Sequence, residues 1–290
     1  MVVLQFLPQV IVSGLTMGSI YALMALGFHL VFATTRVLNF AYGTMVVLGG
    51  LFAYSLLTVA KLNVALALIV VLLGAVVVGY CFQRLAARPL ASGSMGQQIM
   101  GLVVVASIVE NTYALIWGKE VLPVPAFSGT QPLLIAGAAL QPQVLWVIGV
   151  TLAAFALIGT MLHTTLLGRA LRATASNPLG AKVVGIRHSR MIAYSYLITT
   201  VVAMLAGAVV SPIIFAGGFV AMELTVKGFT ASVLGGLTSL TGALIGGLAL
   251  GLIEASLAMA VSSGYREALV MGLLLVVLLT RPEGLLGKHH

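Results

Sequence analysis

The chain has 290 residues, 61% of them apolar and 7% charged, with 14 Lys or Arg, six Glu and no Asp. A water-soluble domain carries about 25% charged residues, and disorder needs low hydrophobicity with high charge; both classes are excluded, leaving a polytopic membrane protein whose solvent is lipid. The net charge of +8 sits in a few loop clusters rather than on a nucleic-acid surface, and a single Cys81 excludes an intramolecular disulfide or a multi-cysteine metal site.

Residues Met1 to Gln9 carry no basic residue and do not read as a cleaved signal peptide. A spanning helix needs about 20 mostly apolar residues. Walking the chain predicts spans near 10–33, 40–60, 63–83, 98–117, 143–163, 191–215, 240–261 and 265–280. The stretch 222–237 is apolar but short and ends in Gly235-Gly236, so it reads as a brief crossing, a re-entrant hairpin or half of a broken helix. The expected fold is therefore all-α: one membrane helix bundle over 1–290, with eight full spans and one short element.

Cytoplasmic loops are enriched in Lys and Arg. With the N-terminus outside and the short element crossing, Arg36, Arg84, Arg88, Arg169, Arg172, Lys182, Arg187, Arg190, Arg281 and Lys288 all face the cytoplasm. Only Lys61, Lys119 and Arg266 fall outside, and Lys227 lies in the short element. A dip-and-return would move Arg281 and Lys288 outside and weaken that bias, so the crossing is preferred.

Two loops stand out. Residues 118–142 form the longest external connection, with Pro123, Pro125, Pro132 and Pro142. Residues 164–190 form the longest internal one and hold five of the fourteen cations. Within it, Gly168 to Ser176 favours a helix, which Asn177-Pro178 interrupts because the residue before Pro leaves the α region. Asn177 suits an N-cap, Pro178 the first position of a second helix, and Gly185 its C′ stop. Leu171, Ala175, Leu179 and Val183 recur every four residues, which predicts one apolar stripe. Such a loop is either an amphipathic element held by anionic lipid or a docking element for a cytosolic partner.

Ionisable groups inside spans are costly and turn towards the bundle interior or water. Glu110, beside Asn111, and Glu254 lie in predicted spans. Glu223 and Lys227 are four apart, in the favourable order for an intrahelical pair. Glu223, Lys227 and Glu254 are either structural or path-lining. At the start of the second span, Asn39 stands near Tyr42, Gly43 and Thr44. That polar cluster either caps the helix or offers hydrogen bonds to a substrate, the logic of broken transporter helices. With Glu110, Asn111 and Thr230 these residues are the candidate path. A short echo, Phe40 to Gly50 and Phe229 to Gly236, both ending Val-Leu-Gly-Gly or its equivalent, suits an inverted repeat. Glycines four apart, Gly14/Gly18, Gly242/Gly246 and Gly247/Gly251, predict close helix contacts.

The set Gly168, Arg169, Leu171, Arg172, Ala173, Asn177, Ala181, Gly185 and Ile186 resembles the cytoplasmic coupling loop of ABC importer permeases, nearest the LivH-type permeases of branched-chain amino acid importers. Gly14 to Leu23, Val37 to Ala41, Lys227 to Gly236, Gly242 to Gly247 and Pro282 to Gly287 are similar to the same family, in its order. The resemblance implies a non-enzymatic permease subunit in a bacterial inner membrane. It implies a LivM-like second permease, LivG- and LivF-like ATPases and a periplasmic binding protein, with ATP and Mg on the ATPases and no cofactor on this chain. No Gly-x-x-x-x-Gly-Lys-Ser/Thr loop occurs here, consistent with ATP chemistry elsewhere. The family often shows His-Gly-Glu after Asn-Phe-Ala, where this chain has Tyr42-Gly43-Thr44. Branched-chain amino acids are the default substrate, with urea, amides or aromatic acids open. The alternative is a stand-alone channel or secondary carrier for a small neutral solute.

Overall fold

In lipid no water satisfies backbone N–H and C=O groups, so a spanning chain must close its own hydrogen bonds, and helices do so within one segment. The computed structural model describes residues 2–135, 138–217, 220–260, 263–280 and 284–286. Its helices are α1 (Val2–Thr35), α2 (Tyr42–Tyr54), α3 (Val64–Phe82), the single turn α4 (Arg88–Leu90), α5 (Met95–Trp117), α6 (Pro142–Thr164), α7 (Leu166–Ser176), α8 (Pro178–Val183), α9 (His188–Ile214), α10 (Val220–Gly235), α11 (Leu240–Ala260) and α12 (Ser263–Thr280). Short π-helical segments, Ser55–Val59 and Gln83–Ala87, extend α2 and α3. Among the described residues, seven helical stretches are long and apolar enough to cross a membrane: 7–35, 42–59, 64–90, 95–117, 142–164, 188–214 and 240–259.

The chain is nearly all-α, as expected, with short strands beside the helices. Four short strands lie in the connections after α5 and α9: β1 (Val121–Leu122), β2 (Leu133–Ile135), β3 (Ala138–Leu140) and β4 (Ala216–Gly217). β1 pairs antiparallel with β4, and β2 with β3. The cause is backbone demand: Phe215 adopts φ 64° and ends α9, and the irregular residues beyond it take partners from the 118–142 loop. Gln143 ties the same loop down, accepting from Phe127 N (3.0 Å) and donating to Val209 O (2.7 Å). That loop is therefore an anchored cover rather than a plain linker.

α1, α2, α9 and α10 form the centre of the bundle, and Tyr21, Leu26, Tyr42 and Met204 are fully buried there. Glycines set the helix spacing, and they serve contacts inside the chain. Gly14, Gly18 and Gly251 interlock α1 with α11, while Gly235, Gly242 and Gly246 interlock α10 with α11. At each, an added Cβ would overlap the facing helix, so only the hydrogen side chain allows that approach.

α10 follows closely on β4, at the end of the bundle that holds the 118–142 loop, and finishes at Gly235. Near that finish, Leu285 N donates to Leu234 O (2.9 Å) and Leu286 N to Gly235 O (3.1 Å). His29, near the Arg36 end of α1, donates from Nδ1 to Leu237 O (3.1 Å). Residues 284–286 and the α10 C-terminus thus lie at the same end of the bundle as Arg36 and the α7–α8 loop. α10 therefore runs from the end of the bundle at β4 to the end at Arg36. Arg281, Pro282, Glu283, Gly287 and Lys288 lie outside the described residues.

Candidate functional site

The α7–α8 loop is built from its caps outward. Thr165 starts α7 by accepting from Gly168 N (3.0 Å), an N-cap immediately before the helix that the Thr-Leu-Leu-Gly stretch supplies. Gly168 lets α7 lie directly against the last turn of α6, since a Cβ there would overlap Met161 O and Leu162. Leu171 and Thr174 are buried beneath α7, and Arg169, Arg172 and Ala173 occupy its other faces. Arg172 Nη1 donates to His163 Nδ1 at 3.4 Å. Asn177 then caps α8 as expected, accepting from Gly180 N (2.8 Å). Gly185, at φ 84°, closes α8 with a full Schellman pair, Ile186 N to Ala181 O (2.9 Å) and Gly185 N to Lys182 O (3.1 Å). Replacing Gly185 with Ala is expected to destabilise this closure by about 1–2 kcal/mol. Faster hydrogen exchange at the Ile186 amide would report it, and unchanged protection would refute it.

The expected single stripe is broken. Asn177 sits at φ −148°, ψ 94°, which resets the helical phase between α7 and α8. Leu171 stays buried and Ala175 half-buried, but Leu179 is 74%, Val183 87% and Val184 75% exposed. Ala181 takes their place as the buried residue of α8, and Ile186 packs on the core. The loop therefore grips the bundle with α7 and presents an apolar, cation-flanked face on α8.

Inside the bundle the polar candidates separate into groups. Lys227 Nζ binds Glu223 Oε1 at 2.7 Å and Glu254 Oε1 at 3.0 Å. Tyr21 donates its hydroxyl to Glu254 Oε2 (2.5 Å), and its ring lies 5.6 Å from Lys227 Nζ. The Lys227 and Glu254 side chains are 9% and 6% exposed, whereas Glu223 is 54% exposed. The intrahelical pair predicted from spacing is present, and Lys227 also joins α10 to α11 and α1. Nothing in the residue spacing pointed to Tyr21.

Asn39 is buried and accepts from Ala41 N (3.2 Å), shaping the turn before α2. Tyr42 is enclosed, donates to Leu23 O (3.0 Å) and covers Gly27. Gly43 allows α2 to touch α10, where a Cβ would overlap Ala221 O and Thr225. Thr44 donates to Glu110 Oε1 (3.2 Å), bringing two path candidates together across α2 and α5. Asn111 is exposed and donates to Ser107 O of its own helix (2.7 Å). Thr230 is buried and donates to Val226 O (2.9 Å). The two phenylalanines of the sequence echo meet, with Phe40 and Phe229 ring centroids 5.9 Å apart and Phe28 within 6.3 Å of both. α2 leaves from that end of the bundle and α10 arrives at it. No group of three or more metal-ligating side chains occurs among the described residues.

Comparison with known proteins gives this architecture its family. Residues 10–279 match the family model described as "Branched-chain amino acid transport system / permease component". The chain is 30% identical to the high-affinity branched-chain amino acid transport system permease protein LivH of Salmonella typhimurium, over 98% of this chain and 96% of that protein. It is 29% identical to the corresponding BraD protein of Pseudomonas aeruginosa, covering 97% and 95%. It is 27% identical to a probable LivH of Methanocaldococcus jannaschii, covering 96% and 92%. The structure of PsaBC from Streptococcus pneumoniae in complex with Fab aligns with a TM-score of 0.50 at 14% identity, over 96% of this chain and 92% of that one, a likeness of fold. With its apolar helices, its cation-rich end and its capped α7–α8 loop, this multi-pass membrane chain belongs to the branched-chain amino acid transport permease family.

Proposed function

We propose that the chain is one of two permease subunits of an ATP-driven importer in a bacterial inner membrane. It forms the translocation path for branched-chain amino acids or a similar small solute delivered by a periplasmic binding protein. The observation that carries this reading is the α7–α8 loop. Leu179, Val183 and Val184 stand exposed together, and a tightly capped surface helix with an unpartnered apolar face suits docking into a cytosolic ATPase subunit. In this reading the bundle crosses the membrane with eight full helices and the short α10, and a LivM-like permease completes the path. LivG- and LivF-like subunits carry ATP and Mg, while this chain has no catalytic role.

The path runs along the face shared by α2, α5 and α10. α5 is mostly unburied, yet Ser107, Asn111 and Thr112 are exposed on it and Glu110 is half-buried. Polar groups at that depth need a second permease or a water-filled path rather than acyl chains. Met222 and Glu223 are exposed on α10, and Phe229 and Phe40 close the far end of the same face.

A charge placed on the docking face tests the coupling role. Val183→Glu, in the complex reconstituted with binding protein and ATPases, is expected to cut leucine uptake by roughly tenfold or more, because an unpaired carboxylate in an apolar interface costs several kcal/mol. Substrate-stimulated ATP hydrolysis should fall with it, while the binding protein keeps its affinity. Uptake equal to that of the parent would remove the loop from the mechanism.

A further inference from the structure

At the cytoplasmic end, on the side of the bundle formed by α1, α6, α9 and α11, lies a cleft of about 540 Å³ roofed by α7. It does not include the α2, α5 and α10 residues assigned to the path. Its polar lining is cationic or hydroxylic. Arg36 and Arg172 stand with His29 and His163, beside Thr34 and Ser195, and no Glu contributes. Its apolar lining comes from Leu162, Leu171, Ile198 and Leu240. The cleft sits where α1 and α6 end and α9 and α11 begin.

A second observation concerns Arg36, which shares a left-handed backbone with Lys61 (φ 52°) at the other end of the bundle but alone of the two lines this cleft. It follows the last residue of α1 with φ 58°, donating its N–H to Phe32 O (2.9 Å). That left-handed position is one that Gly fills without strain. Here a long cation holds it, its guanidinium 5.8 Å from the Phe32 ring and its side chain lining the cleft. Positive-inside bias accounts for a cation at this end of the helix. It does not account for placing that cation at a backbone position that disfavours any side chain.

We propose that this cleft binds the phosphate of an anionic phospholipid of the cytoplasmic leaflet, with Arg36 as the principal contact. Arg36 and Arg172 supply charge-assisted donors to the phosphate oxygens, the Ser195 hydroxyl, which accepts from Thr34 Oγ1 (2.9 Å), adds a neutral one, and the apolar lining receives the first carbons of the acyl chains. Basic pockets between helices on the cytoplasmic side suit such headgroups. The amphipathic lining favours a lipid phosphate over free phosphate. Because α7 forms the roof, a bound headgroup would brace the coupling loop against the bundle.

The test uses the full chain in detergent, titrated with dioctanoyl phosphatidylglycerol, dioctanoyl phosphatidylcholine or inorganic phosphate, and read by native mass spectrometry and by thermal midpoint. Phosphatidylglycerol is expected to bind saturably and to raise the midpoint, with the other two weaker by about tenfold or more. Arg36→Gly, which suits the left-handed backbone, is expected to keep or raise the lipid-free midpoint yet weaken phosphatidylglycerol binding about tenfold. Arg36→Lys should retain part of the affinity, and Lys61→Gln, at the other end of the bundle, all of it. Equal binding of phosphatidylcholine, or full affinity in Arg36→Gly, would overturn the proposal. Inorganic phosphate binding as well as the lipid would assign the cleft to a soluble anion instead. If Arg36→Gly left lipid binding intact but released the ATPases from the assembled complex, the occupant would be a partner side chain.

Discussion

Replacing Lys227 with Met is expected to lower the stability of the chain by about 3–5 kcal/mol, the cost of breaking a buried ion pair from one side. Met keeps the length of the side chain, so the loss reports charge rather than volume. Lys227 pairs with Glu254 at 3.0 Å. Without it, Glu254 keeps the Tyr21 hydroxyl at 2.5 Å, which donates a hydrogen bond but does not neutralise the carboxylate. The Glu223 arm contributes less, because that carboxylate is 54% exposed and water screens it. The double variant Lys227→Met/Glu254→Gln should regain most of the loss, since neither charge remains. Thermal or denaturant unfolding in lipid nanodiscs measures both. A single variant within about 0.5 kcal/mol of the parent, the scatter of ordinary surface changes, would show that these charges are not held in a dry interior.

Gly207→Val is the second large effect expected, at about 3 kcal/mol or more, towards the severe end of overpacking. α2 crosses α9 here, and a Cβ on Gly207 would overlap the Val46 carbonyl and crowd Gly50 N. Gly49 makes the reciprocal contact, lying against the Met204 backbone. Backbone cannot swing aside as a side-chain tip can, so the helices must separate along their length. Separation would also pull α2 from α10 at Gly43 and disturb the Thr44–Glu110 contact of 3.2 Å. Gly149→Val is the control, because nothing lies within 4 Å of a Cβ there, and its midpoint should stay near that of the parent. Two variants with the same midpoint would mean that the crossing tolerates separation and that the close contact is dispensable.

Composition and periodicity determined much about this protein because lipid imposes one rule everywhere: a spanning segment must be apolar and must satisfy its own backbone. Long apolar runs therefore marked the helices, cations marked one end of the bundle, and the local signals Asn177-Pro178 and Gly185 marked the caps of α8, since each acts within a few residues. The Glu223–Lys227 pair was legible for the same reason, being one helical turn. Tertiary structure alone decided which faces meet. Tyr21 and Glu254 are 233 positions apart, and Arg172 reaches His163 through the turn at Thr165; no spacing rule encodes either contact. Asn177 shows the limit most directly. Its identity announced a helix start, but only its observed backbone angles turned Leu179 and Val183 away from the face that buries Leu171, because the phase between two helices is set by the turn that joins them.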